Sequence, residues 1–119
     1  MARHHHIGKQ GEAIARTYLE GKGYQVLEAN WRYRRAEVDL IALDGPILVF
    51  VEVKTRSNDA YGQPEEGITA RKEQMLVSAA HAYLEQNEHE DEIRFDVVSV
   101  LYLDEESYSV RHLEDAFFW

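Results

Sequence analysis

A carboxylate and an ammonium, Glu52 and Lys54, lie two residues apart near the end of the apolar run Val49–Arg56. Side chains alternate between the two faces of a β-strand, so these two charges point to the same face. Apolar residues precede them on that face, which places the charges at the margin of hydrophobic packing. An unpaired carboxylate is costly in such a position, and a bound cation is one way to relieve the cost.

A second run, Ala36–Ala42, places another carboxylate, Asp39, upstream of the first. The two runs are separated by Asp44-Gly45, and Asp-Gly between apolar runs favours a β-hairpin. With a two-residue loop Asp39 lies diagonal to Glu52, and with a four-residue loop it lies directly opposite. An odd loop length would put the two acids on opposite faces. Either even register predicts that Asp39, Glu52 and Lys54 come within reach of one hard cation.

Hydrophobic periodicity and turn residues predict the elements that position these side chains. Helices are predicted from Ile7 to about Gly21 and from a Thr69 cap to about Asn87. Further strands are predicted at Tyr24–Asn30, Ile93–Leu103 and Tyr108–Leu113, and loops at Trp31–Arg35 and Ser57–Gly67. The predicted order is therefore α-β-β-β-α-β-β.

Glu12 lies on a stripe of the first helix that also carries Gly8, Gly11 and Ala15. Small residues at helical spacing indicate a close approach to a sheet. Glu12 is then either a first-turn acid that complements the helix dipole or a further acidic group near the site. The residue pattern leaves both interpretations open.

An ordered set of segments resembles one bacterial family over nearly the whole chain. The segments are Gly8 to Glu12, Ala15, Tyr18-Leu19, Gly23-Tyr24, Asn30, Glu37 to Ile41, Phe50 to Arg56 and Arg94 to Val98. The family is the YraN-like proteins. Within it, Asp39 followed by Glu52-Val53-Lys54 resembles the Asp…Glu-x-Lys signature of the restriction-endonuclease-like nuclease superfamily, and the spacing is similar to that in archaeal Holliday-junction resolvases.

The resemblance implies a single domain spanning residues 1–119, with a mixed α/β sheet flanked by helices. It implies a Mg²⁺- or Mn²⁺-dependent endonuclease that hydrolyses phosphodiester bonds in DNA, with branched or structured DNA favoured. Asp39 and Glu52 would be the direct ligands and the backbone carbonyl of Val53 a third, because hard cations prefer oxygen. Lys54 would position the attacking water or stabilise developing charge. The resemblance also favours Glu12 as an acidic group acting near the site through water.

Basic residues around this region are candidates for contacts with phosphate. Arg34 and Arg35 precede the Asp39 strand, Arg56 follows Glu52, and Lys72 opens the second helix. Arg56 could equally be a solvated strand end, and Lys72 is the weaker candidate. Two further acids have other interpretations. Glu37 is either a site carboxylate or the ion-pair partner of Arg35 or Arg56. Asp96 is interpreted as structural.

Other potential sites carry less chemistry. The run His4–His6 is not interpreted as a native metal site, because three consecutive residues cannot all face one ion in a regular element. His81 and His112 are interpreted as structural. The aromatic segment Phe117–Trp119 either folds onto the core or covers a partner surface.

Composition excludes several classes of protein. The chain has 119 residues, no cysteine and a formal net charge of −9. It contains no apolar stretch of membrane-spanning length and no signal-peptide pattern, so a cytoplasmic location is expected. Its acidity opposes tight non-specific nucleic-acid binding. The charge is uneven, however: residues 1–72 hold eleven Lys and Arg against ten Asp and Glu, and residues 73–119 hold two against twelve.

Nucleic acid, with DNA favoured, is the partner that the resemblance implies, and a homodimer is allowed. The main alternative is a non-catalytic module that keeps the nuclease fold and binds nucleic acid or protein. A third is an acidic adaptor whose aromatic tail and negative half bind a basic protein.

Overall fold

Stretches rich in β-branched and aromatic residues form strands, and stretches with apolar residues at three- and four-residue spacing form helices. The computed structural model describes residues 2–56, 69–104 and 106–116. The elements are α1 (Ala2–Gly21), β1 (Gln25–Tyr33), β2 (Ala36–Asp44), β3 (Ile47–Arg56), α2 (Ala70–Asn87), β4 (Ile93–Tyr102) and β5 (Tyr108–Leu113). The predicted order α-β-β-β-α-β-β is confirmed.

The five strands form one mixed sheet in the order β1-β2-β3-β4-β5. The β3–β4 pair is parallel and the other three pairs are antiparallel. A parallel pair needs a crossover, and α2 supplies it between β3 and β4. The mixed sheet with its two helices agrees with the restriction-endonuclease-like pattern expected from the sequence.

Each helix covers one face of the sheet. Ala15 and Leu19 of α1 pack on Val49 and Val51, whereas Leu76, Ala79, Ala80 and Tyr83 of α2 pack on the face of Leu48 and Phe50. Consecutive residues of β3 therefore enter different cores, as strand alternation requires. None of the helices in the described ranges is long and apolar enough to cross a membrane.

The predicted boundaries hold for α2 and are wrong for β1 and α1. Thr69 caps α2 as expected, because its side chain accepts a hydrogen bond of 3.1 Å from the backbone N–H of Lys72. Helix α1 begins at Ala2 rather than Ile7, so the backbone of residues 4–6 is helical while their side chains are not described. The loop predicted at Ser57–Gly67 and the tail Phe117–Trp119 lie outside the described residues.

Strand β1 continues through the segment predicted as a loop. The predicted end at Asn30 is wrong, because Trp31 pairs with Val38. The ring of Trp31 also meets the ring of Tyr83 of α2 edge-on, with 5.2 Å between their centroids. Burial of these rings favours a continued strand. Asn30 does adopt the left-handed conformation typical of turn residues, with φ of 53°, yet it does so inside the strand.

Asp96 is the centre of a buried polar cluster, which confirms its structural interpretation. Its carboxylate accepts bonds from Arg94 Nε at 2.8 Å, from the backbone N–H of Asp115 at 3.1 Å and from His112 Nε2 at 2.7 Å. Burial alone raises the pKa of Asp96, but these hydrogen bonds outweigh it and hold the pKa below its usual value. The cluster ties β5 to β4, and it gives His112 the structural role predicted for it.

Gly11 lets α1 approach β3 closely. A Cβ atom added at Gly11 would overlap Oγ1 of Thr55 and would lie 3.2 Å from the Cβ and Cγ2 atoms of Thr55. This contact fixes the middle of α1 against the end of β3, where Lys54 and Arg56 lie. The close approach predicted from the small-residue stripe is therefore present at Gly11.

Gly11→Ala is expected to destabilise the protein in the wild-type background by about 1–3 kcal/mol, because it overpacks this contact. In a Thr55→Ala background the overlapping oxygen is absent, and the higher helix propensity of alanine, worth about 1 kcal/mol, then acts in the opposite direction. Urea unfolding of the four proteins measures both effects. Equal destabilisation by Gly11→Ala in both backgrounds would contradict the contact.

Candidate functional site

Asp39 and Glu52 lie where β2 and β3 separate. The ladder between these strands runs from the pair Asp44↔Ile47 to the pair Leu40↔Val51, and continuing that register puts Asp39 opposite Glu52. The turn therefore spans two residues, Gly45 and Pro46. The pairing of Asp39 with Glu52 is the one predicted for a four-residue loop, so the register is as predicted for that case but the turn is shorter. The even-register prediction holds, and the two acids are neighbours.

Alternation in β2 is interrupted at Asp39. Val38 packs in the core on the α2 side, whereas Leu40, two residues later, packs in the core on the α1 side. The interruption occurs level with Asn30 of β1, because Ala29 pairs with Leu40 and Trp31 pairs with Val38. A left-handed residue in one strand thus reorients both strands at the level of the acidic residue.

The carboxylate of Asp39 fills the gap between the separating strands. Its Oδ2 accepts a hydrogen bond of 2.8 Å from the backbone N–H of Val53. The N–H and C=O groups of one strand residue face the same neighbouring strand. The Val53 carbonyl is therefore expected to face Asp39 as well, as its predicted role as a third ligand requires.

Glu52 is the more deeply buried acid, and its two oxygens differ in their surroundings. Its Oε1 lies 3.1 Å from Nζ of Lys72 and 4.0 Å from Nζ of Lys54, while its side chain is only 6 % exposed. Its Oε2 is the buried side-chain polar atom that has no hydrogen-bond partner among the described residues. A buried carboxylate oxygen without a donor is costly, so this atom is suited to a ligand absent from the protein chain.

Burial and like charge dominate the electrostatics of Asp39. Burial, followed by the charge of Glu52, raises the pKa of Asp39 from 3.8 to about 7, against the opposing hydrogen bond from Val53. The charge of Glu12 on α1 adds to this rise, so Glu12 is close enough to act on the site. This proximity supports the interpretation of Glu12 as an acidic group near the site.

Lys54 is half-buried beside the acids. Burial is the largest cause that lowers the pKa of Lys54, and the charges of Lys72 and Arg56 act in the same direction against the opposing charge of Glu52. Arg56 is thus near Lys54 at the end of β3. A lysine with a lowered pKa gives up its proton more readily than an ordinary lysine, which is a property that proton transfer requires.

The remaining basic candidates differ in position. Lys72, predicted as a phosphate contact, pairs directly with Glu52. Arg34 and Arg35 form the exposed turn between β1 and β2, four to five residues before Asp39, or roughly 13–17 Å along the chain. Arg34 lies over the ring of Tyr33 at 5.2 Å. These arginines are at the same end of the sheet as the acids, but they do not touch them.

Glu37 is separate from the acidic pair. It forms an ion pair of 3.1 Å with Arg32, which is its direct partner across the β1–β2 ladder. The sequence had suggested Arg35 or Arg56 as partners. The strand register places Arg32 directly opposite Glu37, and side chains opposite each other on neighbouring strands are close enough to pair.

Sequence reasoning missed two contributors to the site. The pairing of Lys72 with Glu52 depends on how α2 docks on the sheet, and only the Thr69 cap signalled where α2 begins. The role of Asn30 was hidden because its turn preference predicted the end of β1. A turn-forming residue within a longer apolar stretch is the signal that could have indicated a distorted strand.

The donor set fits a hard divalent cation. No group of three Asp, Glu, His or Cys side chains close enough to hold a metal occurs within the described ranges. Mg²⁺, however, is commonly bound by one or two carboxylates and several waters. Asp39 and Glu52, with the Val53 carbonyl, supply that set. The fit is supported by Oε2 of Glu52, which lacks a hydrogen-bond partner in the part of the chain that the structure describes.

A mixed sheet covered by two helices, with paired acids and a lysine where its central strands separate, defines a protein of the restriction-endonuclease-like class of fold. Residues 11–100 match the family described as "Uncharacterised protein family UPF0102". The chain belongs to this family, which is the YraN-like family indicated by the sequence.

Relatives in this family match the chain over nearly its full length. A UPF0102 protein of Flavobacterium psychrophilum is 43% identical, covering 99% of this chain and 98% of its own. A UPF0102 protein of Christiangramia forsetii is 41% identical, covering 100% of this chain and 99% of its own. A UPF0102 protein of Chlorobium chlorochromatii is 46% identical, covering 93% of this chain and 90% of its own.

The raised pKa of Asp39 predicts a specific dependence of stability on pH. As pH rises, the unfolded chain ionises near pH 4 and the folded protein only near pH 7, so the folded protein loses stability between these values. The loss is on the order of 2 kcal/mol for this partly compensated group. Asp39→Asn keeps an oxygen acceptor for Val53 and is expected to flatten this part of the curve.

Urea unfolding in EDTA between pH 4 and 8 measures this effect. Glu85→Gln, which neutralises an exposed acid on α2, is the matched control and should follow the wild type. If Asp39→Asn also runs parallel to the wild type, the folded protein does not resist ionisation of Asp39.

Proposed function

We propose that this protein is a Mg²⁺- or Mn²⁺-dependent endonuclease that hydrolyses phosphodiester bonds in DNA. The observation that carries the proposal is the buried Oε2 of Glu52, which has no hydrogen-bond partner within the described ranges. Glu52 lies beside a second buried acid, Asp39, and a half-buried Lys54. Structural ion pairs in protein interiors are normally satisfied on all sides. A buried acidic pair with an unsatisfied oxygen next to a lysine is more typical of a site that receives a cation and a phosphate.

Asp39 and Glu52 would hold the cation, together with the Val53 carbonyl and water. When bound, such a cation neutralises phosphate charge, lowers the pKa of bound water and orients the substrate. The hydrogen bond from Val53 fixes Asp39, and packing of β3 in the sheet fixes Glu52, so both carboxylates are held before substrate arrives. Ligands on rigid strands are positioned more exactly than ligands on loops.

Lys54 would act on the reacting phosphate. It follows Glu52 by two residues on the same face of β3, so its ammonium reaches the region next to the two acids. There it would hold the attacking water or stabilise the charge that develops on the phosphate. Glu12 would act from α1 through water, since its charge contributes to the raised pKa of Asp39.

The basic groups at this end of the sheet would bind the DNA backbone. Arg56 lies near Lys54 at the end of β3, and Arg34 and Arg35 form the β1–β2 turn at the same end of the sheet. Phosphate contacts of this kind fix the position of DNA without reading its sequence. The preference for branched or structured DNA follows from the similarity to junction resolvases alone. A cytoplasmic location and a homodimer belong to the same proposal.

One observation favours a different function. The ion pair between Lys72 and Glu52 places a cation from the chain itself against the carboxylate. If that pair is permanent, the protein is a non-catalytic module that keeps the fold and binds nucleic acid or protein. Metal binding separates these two functions.

Mn²⁺ is expected to raise the melting temperature of the wild type. A concentration of about 100 times Kd stabilises the folded state by about 2.7 kcal/mol, which amounts to several degrees. Asp39→Asn and Glu52→Gln each remove a ligand charge and should lose this shift. Thermal melts with and without Mn²⁺ measure it, and an equal shift in all three proteins would place the metal elsewhere.

Lys54→Met is expected to keep the Mn²⁺ shift but to lose about 10²- to 10³-fold in cleavage rate, because it removes one preorganised charge and keeps the apolar stem. The assay uses single-stranded, duplex and four-way-junction DNA with Mg²⁺ or Mn²⁺. Lys22→Met is the matched control, since Lys22 follows α1 roughly 15 Å beyond Glu12.

Cleavage by Lys54→Met at the wild-type rate would assign the activity to another site or to a contaminant. If the wild type binds Mn²⁺ through Glu52 and still cleaves none of the three substrates, the non-catalytic function replaces the nuclease.

A further inference from the structure

Lys72 reaches the acidic pair from a different element than Lys54 does. Its backbone is fixed in the first turn of α2 by the Thr69 cap. Its side chain extends from there across to β3, where Nζ lies 3.1 Å from Oε1 of Glu52. The opening of α2 therefore supplies the nearest positive charge to the buried acid.

The two lysines at Glu52 are not equivalent. Lys54 Nζ is 4.0 Å from Oε1, and the Lys54 side chain is only 17 % exposed. Lys72 is closer, yet its side chain is 41 % exposed. The ammonium of Lys72 has more access to water than that of Lys54, so water can replace Glu52 as its partner more readily. Lys72 is therefore the exchangeable partner of Glu52, and Lys54 is the fixed one.

A divalent cation and the Lys72 ammonium cannot both keep their best positions at Glu52. Each seeks the same carboxylate, and two positive charges a few ångströms apart repel each other inside a partly desolvated site. A cation held by Asp39 and Glu52 would therefore turn Lys72 away. The displaced ammonium would still be anchored at the site by α2, and it would be free to meet an incoming phosphate.

We propose that Lys72 is a built-in counter-ion of Glu52 that is exchanged for the divalent cation and then transferred to substrate phosphate. The inference rests on the proposed metal site and adds an order of events to it. Lys72 lowers the metal affinity of the free protein, because the cation must compete with it. Nucleic acid raises that affinity, because phosphate removes Lys72 from Glu52, and by linkage the metal raises affinity for nucleic acid to the same extent.

The test is Mn²⁺ binding, measured from the electron paramagnetic resonance of the free ion, with and without a short DNA duplex. Lys72→Met is expected to bind Mn²⁺ about 3- to 10-fold more tightly than the wild type in the absence of DNA, in the range that loss of one partly exposed pair allows. Addition of DNA should tighten Mn²⁺ binding by the wild type and change it much less in Lys72→Met. Lys72→Arg keeps the charge and should behave like the wild type.

Arg71→Met is the matched control for net charge. It removes one positive charge from the same turn of α2, from an exposed residue adjacent to Lys72. If Arg71→Met tightens Mn²⁺ binding as much as Lys72→Met, the effect is one of overall charge and the exchange is overturned. An unchanged or weaker Mn²⁺ affinity in Lys72→Met also overturns it.

The same measurements distinguish failure of this inference from failure of the proposed function. Mn²⁺ binding that depends on Glu52 but not on Lys72 leaves the metal site intact and removes only the exchange. Absence of Glu52-dependent Mn²⁺ binding in both the wild type and Lys72→Met overturns the metal site and the exchange together. Melting temperatures in EDTA establish that each variant is folded.

Discussion

The repulsion between two carboxylates held side by side in a partly desolvated gap is the constraint on which the rest of the site depends. The pKa of Asp39 is raised to about 7, so Asp39 holds its proton to a higher pH and the repulsion is reduced. Glu52 meets the same constraint through a lysine on its own strand and another on α2. Neither response satisfies the pair completely, because one oxygen of Glu52 has no donor among the described residues. The stability that the fold provides elsewhere holds this arrangement in place.

The other buried acid shows what a satisfied carboxylate looks like in the same sheet. Asp96 has partners from Arg94, His112 and the backbone of Asp115, and its pKa is held low despite the burial that raises it. Asp39 and Asp96 are thus driven in opposite directions by their surroundings. The comparison separates a carboxylate that ties strands together from one whose charged form is disfavoured by its surroundings, since buried polar groups are normally satisfied.

Several local features act together to produce the gap between β2 and β3. The left-handed Asn30 reorients β1 and β2 at the level of Asp39, and the ladder to β3 stops at Leu40 and Val51. Gly11 brings α1 onto the end of β3, which places Glu12 within electrostatic reach of Asp39. Each feature is small by itself, but together they bring groups from α1, β2, β3 and α2 to one place.

The sequence alone determined the order of elements, the even register of the hairpin and the meeting of Asp39, Glu52 and Lys54. These follow from local rules, namely strand alternation and turn chemistry, which depend on residues close together in the chain. Only the tertiary structure decided that β1 continues past Asn30, that Glu37 pairs with Arg32, and that Lys72 contacts Glu52. Those contacts depend on strand register and on the docking of a helix from a distant part of the chain, where packing overrides local preference.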